Sequence, residues 1–183
     1  MRRLPCSARA SVKRMATSVT CVPAVACGVP TLLFVCTGNL CRSPMAAALA
    51  RNVLAGRAEA VDVFSAGLLQ GGEPATGEAV ELMKRRGLDL STHRSRRLGG
   101  ALAPPPDVIL GMAREHALAV VDLLPQLFPR TFTLKGLVAR GRSHGPRRPG
   151  EALDTYLGRV GADRSFALAD LVWPDLARRQ ATT

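Results

Sequence analysis

The hydropathy of this chain predicts an α/β fold, a four-stranded parallel sheet held between two layers of helices. Three observations carry that expectation. Short apolar runs of strand length open near residues 31, 61, 107 and 130. Each is followed by a stretch with apolar residues at helical spacing. The chain has 183 residues, 47% of them hydrophobic, enough for one domain with a full core. Strand–helix alternation with right-handed crossovers gives parallel strands, and parallel strands are covered on both faces.

Residues 1–30 are read as a basic, flexible extension and residues 31–183 as the α/β domain. The extension holds Arg2, Arg3, Arg9, Lys13 and Arg14, no acid, and a mildly apolar patch over residues 15–29. This loosely imitates a secretory signal. Cleavage near Ala26 or Gly28 would, however, export Cys36 just after the cut, and that thiol needs a reducing compartment. A start placed too early, with Met15 as the true first residue, fits the same pattern. Cys6, Cys21 and Cys27 have no assigned role.

The elements follow in order. The first strand, residues 31–35, ends at Cys36. The first helix, residues 43–56, places Met45, Ala48, Leu49 and Val53 on one face. Ser43 suits its N-cap and Pro44 its first turn. The second strand, residues 61–65, runs into Ser65-Ala66-Gly67. Gly71, Gly72 and Pro74 then make a loop before a helix over residues 75–86, and Gly87 fits its C-terminal stop. Pro104, Pro105 and Pro106 bar a helix before the third strand, residues 107–112. The helix over 114–124 carries Ala117, Val120, Val121 and Leu124 at helical spacing, and His116 reads as a solvated position on it. The fourth strand, residues 130–134, is short and rich in Thr and Phe. Residues 140–150, RGRSHGPRRPG, read as an exposed basic loop. A last helix, residues 151–161, sets Leu153, Tyr156, Leu157 and Val160 on one face.

The net charge is +11, of which the first 30 residues supply +5. A basic surface attracts phosphoproteins, nucleic acid or anionic lipid. Only 4% of residues are aromatic and no RNA-binding signature is present, so nucleic acid is not expected and an arginine-rich composition explains the charge. No apolar run reaches the length of a membrane span. Five cysteines in this length do not make a disulfide framework. No His/Cys/Asp cluster has ligand spacing, so neither metal nor cofactor is expected.

The chemistry concentrates in residues 31–44, TLLFVCTGNLCRSP. The order is strand, cysteine, tight loop, arginine, helix. A loop ending at a helix N-terminus offers backbone N–H groups and the positive end of the dipole to an anion. Gly38 permits a close turn and Asn39 tolerates left-handed dihedrals. N–H donors around the sulfur stabilise a Cys36 thiolate. Arg42 can grip two oxygens of a phosphate or arsenate. A thiolate beneath a bound phosphoryl group gives a phosphocysteine intermediate. The plainer alternative is a buried strand-end cysteine and a solvated arginine. The flanking strand, the Gly-Asn turn and the Ser-Pro helix start together speak against it.

The ten residues VCTGNLCRSP resemble the phosphate-binding loop of the low-molecular-weight protein tyrosine phosphatases, a superfamily that also contains arsenate reductases. The resemblance implies Cys36 as nucleophile and Arg42 as the phosphate-binding arginine. It implies a phosphate-binding loop of Thr37, Gly38, Asn39, Leu40, Cys41 and Ser43. Ser43 would donate to the Cys36 thiolate, Asn39 would hold the loop in shape, and Cys41 would form a reversible disulfide with Cys36. Ser65-Ala66-Gly67 also matches the family, with Ser65 bonding Asn39. Residues 91–98, STHRSRRL, match a family segment whose histidine, here His93, joins the network behind the loop. The resemblance runs from about Thr31 to about Leu137.

Departures lie toward the C-terminus. The family supplies a general acid from an Asp-Pro dipeptide on a late loop, whereas this chain reads Asp170-Leu171-Val172-Trp173-Pro174-Asp175. Aligned on the proline, the acid position holds Trp173. Asp175 is the best candidate acid, Asp170 the next, and an ordinary helix-start aspartate is the plain reading of Asp175. Met112 is followed by Ala113 where the family has a carboxylate. The family's long final helix is missing, which leaves one sheet face short of cover. The apolar part of residues 15–29 is the candidate to fill it.

These readings imply phosphomonoester hydrolysis of the protein-tyrosine-phosphatase type, in the cytoplasm, on a phosphotyrosine protein or a small aryl phosphate. The alternatives are an arsenate reductase using a small-molecule thiol and a catalytically impaired phosphate-binding protein. A thioredoxin-linked reductase needs relay cysteines, and none follows Cys41.

Overall fold

The computed structural model describes residues 29–57, 59–99 and 105–164. Four parallel strands form one sheet: β1 (Thr31–Cys36), β2 (Asp62–Gly67), β3 (Val108–Gly111) and β4 (Thr131–Thr133). Their order is β2-β1-β3-β4, so β1 is central. Leu33 of β1 pairs with Phe64 on one side and Ile109 on the other. Strands buried on both faces read as continuous apolar runs rather than as alternation, which is the pattern of β1.

The described residues form five α-helices beside the sheet: α1 (Arg42–Leu54), α2 (Gly77–Lys84), α3 (Arg114–Leu123), α4 (Leu134–His144) and α5 (Leu153–Gly161). Successive side chains of a strand point to opposite faces, and the core divides accordingly. Leu33 and Val35 join Ile109, Val120, Leu124 and Leu127 on the α3 side. Phe34, Leu110 and Phe132 join Ala47 of α1 and Leu157 and Val160 of α5 on the other. Ala79 and Met83 of α2 pack with Ala48 of α1 in a smaller third cluster. The three-layer arrangement is therefore present.

On the α1 side of the sheet α5 packs Leu157 and Val160 against Phe34, Leu110 and Phe132. Residues 1–28 lie outside the described residues. So do residues 165–183, and with them Asp170, Trp173 and Asp175.

Several elements differ from expectation. Val53 is 62% exposed, because the inner face of α1 is set by Ala47, Ala48, Ala50 and Leu54 instead. Ser43 is not an N-cap: the cap position is Cys41, and the Ser43 hydroxyl is bonded inside the site. α2 starts late because Thr76 is its cap, accepting from Ala79 N at 3.3 Å. Residues 140–144 belong to α4 rather than to a loop. That helix starts directly at the end of β4, where Thr133 accepts from Gly136 N at 3.0 Å. A 3₁₀ turn, Pro125–Arg130, links α3 to β4 and buries Leu127.

Because α5 closes the sheet face, Leu157→Ala is expected to destabilise by about 3 kcal/mol. Val53→Ala is expected to stay within about 0.5 kcal/mol. Urea denaturation of the two variants checks this, and equal losses would contradict the burial described here.

Candidate functional site

Cys36 is the last residue of β1 and its side chain is buried. Its sulfur lies 2.9 Å from Ser43 Oγ and accepts from Asn39 N at 3.2 Å. The loop between β1 and α1 wraps over it, and α1 begins at Arg42 with no acidic residue in its first turn. A helix start without an acid or a side-chain cap leaves its N–H groups and positive pole for an external anion.

The loop carbonyls are tied down from outside. Leu68 N donates to Thr37 O at 2.7 Å, Leu69 N to the same oxygen at 3.1 Å, and Thr76 N to Leu40 O at 3.0 Å. His93 Nε2 donates to Asn39 O at 2.7 Å. With carbonyls held on the outer side, successive amides of such a loop turn the other way and form an anion-binding concavity.

Asn39 gives the loop its reversal. Its φ of 55° is left-handed, a conformation asparagine tolerates better than other side chains. It is fully buried. Nδ2 donates to Ser43 Oγ at 2.8 Å and Oδ1 accepts from Arg96 N at 2.9 Å. The expected bond from Ser65 to Asn39 is not among these. Ser65 is buried on β2, opposite Phe34 in register, and the backbone of Arg96 occupies the asparagine oxygen in its place. His93 does join the network, through the Asn39 carbonyl.

Gly67 lets β2 pass directly under the loop. A Cβ there would stand 2.8 Å from Asn39 N, Gly38 C and Thr37 O, closer than any side chain can sit. This close approach, rather than a turn, explains the glycine of Ser65-Ala66-Gly67.

Arg42 projects from the start of α1 and donates from Nη2 to Thr37 Oγ1 at 3.2 Å. That hydroxyl also lies 2.9 Å from His116 Nε2. His116 is fully buried, contrary to the solvated position expected for it, because the first turn of α3 folds inward against the end of β3. Its spacing held the signal: His116, Val120 and Leu124 recur every four residues, and the latter two are core. Burial first, then the Arg42 charge, holds the His116 imidazole below its ordinary pKa, against the opposing pull of Glu115. Burial also lowers His93, against the Asn39 carbonyl and with help from Arg96, Arg51 and Arg94.

Cys36 and Cys41 are both free thiols, of which only Cys41 is exposed, and Cys41 Sγ contacts Met45 Sδ at 3.8 Å. Leu40 is half-buried, and Gly38 is not left-handed. Among the described residues no cluster of three or more His, Cys, Asp or Glu has the form of a metal site. Among the described residues no helix is long and apolar enough to cross a membrane.

Two outcomes follow. Gly67→Ala is expected to push β2 off the loop between β1 and α1, with about 1–3 kcal/mol lost in denaturant titration. An unchanged stability would refute the close approach. The second concerns pH. Two histidines whose folded pKa values lie below the ordinary value of about 6.5 contribute no pH dependence above it. Below it the unfolded chain binds protons that the fold refuses, so stability falls with pH. Tm is expected to drop between pH 7.5 and 5.5, and His93→Gln, which keeps a donor for Asn39 O but does not titrate there, is expected to shallow that drop. An identical slope in the variant would show that His93 is not responsible.

The family model for the low molecular weight phosphotyrosine protein phosphatase matches residues 31–145. The chain is 48% identical over 85 residues to the probable low molecular weight protein-tyrosine-phosphatase EpsP of Ralstonia solanacearum, covering 46% of this chain and 56% of that one. The chain thus spans little more than half the length of that relative. It is 34% identical over 130 residues to the protein-arginine-phosphatase of Bacillus subtilis, covering 70% of this chain and 81% of that one. Among solved structures it superposes on the YwlE arginine phosphatase, in a cysteine-to-serine mutant with a phosphorylated active site serine. The TM-score is 0.56 at 29% identity, over 83% of this chain and 96% of that one.

Proposed function

We propose that this chain, which belongs to the low molecular weight phosphotyrosine protein phosphatase family, hydrolyses protein phosphomonoesters through a phosphocysteine intermediate at Cys36. One observation carries the reading: the buried Cys36 sulfur sits between Ser43 Oγ and Asn39 N, under a loop that ends at the start of α1 beside Arg42.

In the first step Cys36 Sγ attacks phosphorus, the bond from phosphorus to the leaving oxygen breaks, and that oxygen takes a proton. Arg42 and the loop amides hold the phosphoryl oxygens, whose charge grows in the transition state. In the second step water attacks phosphorus, the S–P bond breaks and the thiolate returns to its donors. Asp175 is the proposed proton donor and later the base for water, with Asp170 as its substitute. Thr37, Gly38, Leu40, Cys41 and Ser43 line or support the anion site, and His93 and the Arg96 backbone support it from behind. No metal or cofactor enters either step. A thiolate nucleophile beside the exposed Cys41 works in a reducing compartment, so the cytoplasm is its proposed location. Oxidation would join Cys36 to Cys41 and protect the nucleophile.

Phosphotyrosine is the proposed substrate group. Phosphoarginine is the second reading, because the arginine phosphatase relative matches over the larger share of both chains. An arsenate reductase drawing on a small-molecule thiol, or a phosphate binder without turnover, are the outcomes to be told apart.

Burst kinetics with p-nitrophenyl phosphate near pH 6 test the proposal. The expected result is a stoichiometric burst and steady turnover, both lost in Cys36→Ser. Asp175→Asn is expected to keep the burst and slow the steady rate about 100-fold. A burst without turnover in the wild type would favour the phosphate binder, and arsenate-dependent thiol consumption the reductase. Parallel assays on phosphotyrosine and phosphoarginine peptides separate the two substrate groups.

A further inference from the structure

We propose that His116 is a positioning residue for the anion-binding arginine, acting through the Thr37 hydroxyl. This rests on the reading of the loop as a phosphate site. Three observations meet here. The His116 side chain is completely buried in the first turn of α3. Its Nε2 lies 2.9 Å from Thr37 Oγ1, on the residue next to the nucleophile. The same oxygen accepts from Arg42 Nη2 at 3.2 Å. A histidine, a threonine and the arginine form a chain from the interior to the mouth of the site.

The hydrogen inventory gives the chain a direction. Arg42 can only donate, so Thr37 Oγ1 accepts from it and keeps one lone pair and one hydrogen for other partners. His116 Nδ1 has no hydrogen-bond partner among the described residues. Burial and the Arg42 charge keep the ring neutral, so it carries a single hydrogen. On Nδ1 that hydrogen would be a buried, unpaired donor. On Nε2 it is given to Thr37, and only an acceptor stays unpaired. In the second form Thr37 Oγ1 accepts from both His116 and Arg42, which locks the arginine. The hydroxyl hydrogen is then free for an oxygen of a bound anion.

Stability alone gives no reason for this residue. A leucine would fill the same volume without burying an unpaired nitrogen, and Ala117 and Val120 beside it are apolar core. The backbone is shaped to bring the ring in. A Cβ on Gly111 would stand 2.7 Å from Ala117 N and 2.9 Å from Ala113 O, so the glycine at the end of β3 lets the first turn of α3 close onto the strand. Since β3 pairs with β1, that closure carries His116 across to Thr37.

The test uses the full chain as wild type, His116→Leu, His116→Gln, Thr37→Val and the double variant Thr37→Val/His116→Leu. Binding of inorganic phosphate is measured by titration calorimetry and turnover with p-nitrophenyl phosphate. The leucine and valine variants are each expected to weaken phosphate binding and kcat/KM about tenfold. The double variant is expected to lose about tenfold as well, not about 100-fold, because both changes cut one chain. His116→Gln, which can donate from the same place, is expected to recover part of the loss. Multiplying losses, an unchanged phosphate affinity in Thr37→Val, or a glutamine variant as impaired as leucine would each overturn the proposal. Should the leucine variant fail to fold, Thr37→Val and His116→Gln decide the matter between them. A wild type that binds phosphate without turnover refutes only the hydrolase reading, whereas a folded wild type that binds no phosphate refutes both.

Discussion

Asn39 is buried in a left-handed conformation and uses each of its four polar groups inside the protein. Its N–H reaches Cys36 Sγ, its carbonyl takes the His93 ring, its amide nitrogen reaches Ser43 Oγ and its amide oxygen takes Arg96 N. One residue, through its backbone and its side chain, therefore joins the end of β1, the first turn of α1 and the segment after α2. A buried amide left with an empty valence is costly, so the four bonds stand or fall together. The rest of the site is arranged around them. β2 must present glycine to pass beneath, and the segment carrying His93 and Arg96 must return to the loop after the excursion through α2. The order β2-β1-β3-β4 places the carboxyl end of β1 where successive connections leave toward opposite edges of the sheet. In open parallel sheets that point is where ligands bind.

Much of this was legible from residues 31–44, because strand, loop and helix start follow one another without a gap. The sheet was legible too, since β1 is apolar after Thr31 and a helix follows each strand. What escaped the sequence escaped for physical reasons. Val53 lies four residues after Leu49, and periodicity carried it onto the apolar face. At the far end of α1, however, the inner face is held by alanines and Leu54. α4 was hidden because it opens with no loop after β4 and carries Gly136 and Gly141, which lower helical signal, while the Thr133 cap supplies its start. The Asn39 amide oxygen takes the Arg96 backbone rather than Ser65, and a backbone partner 57 residues away has no side-chain signature. His116 was misread by residue type: histidine between Glu115 and Ala117 looks solvated, although its spacing with Val120 and Leu124 pointed inward.

The arginine content also takes on a different meaning in three dimensions. Arg51 sends Nε and Nη2 to Val63 O, at 3.1 and 2.7 Å, and so fastens α1 to β2. Arg159 bridges Glu151 and the carbonyl of Pro146, which folds the turn before α5 back on the helix. Arg164 lies over the Phe132 ring at 3.6 Å and reaches the carbonyls of Phe128 and Pro129. Burial lowers its pKa to about 10, far above neutrality, so it stays charged. A guanidinium has five donors in a rigid fork and suits this stitching better than lysine does. Several of the positive charges are thus engaged with carbonyls and carboxylates of the same chain. That weakens any inference from net charge to an anionic polymer as partner.

The state of the Cys36 sulfur depends finally on a single hydrogen. Ser43 Oγ has three neighbours: Asn39 Nδ2, which donates to it, Cys36 Sγ at 2.9 Å, and Ala66 O at 3.3 Å. The hydroxyl has one hydrogen to give. With Cys36 as a thiol, the S–H donates to Ser43 and the Ser43 hydrogen goes to Ala66 O. Every group is then paired. With Cys36 as a thiolate, the same hydrogen turns to the sulfur, and Asn39 N supplies a second donor. The Ala66 carbonyl then gives up the longer of the two contacts. Rotation of one hydroxyl therefore stabilises the anion without movement of the backbone, in a site whose other bonds are already satisfied. This holds because Asn39 pins Ser43 in the one position from which both the sulfur and the carbonyl can be reached.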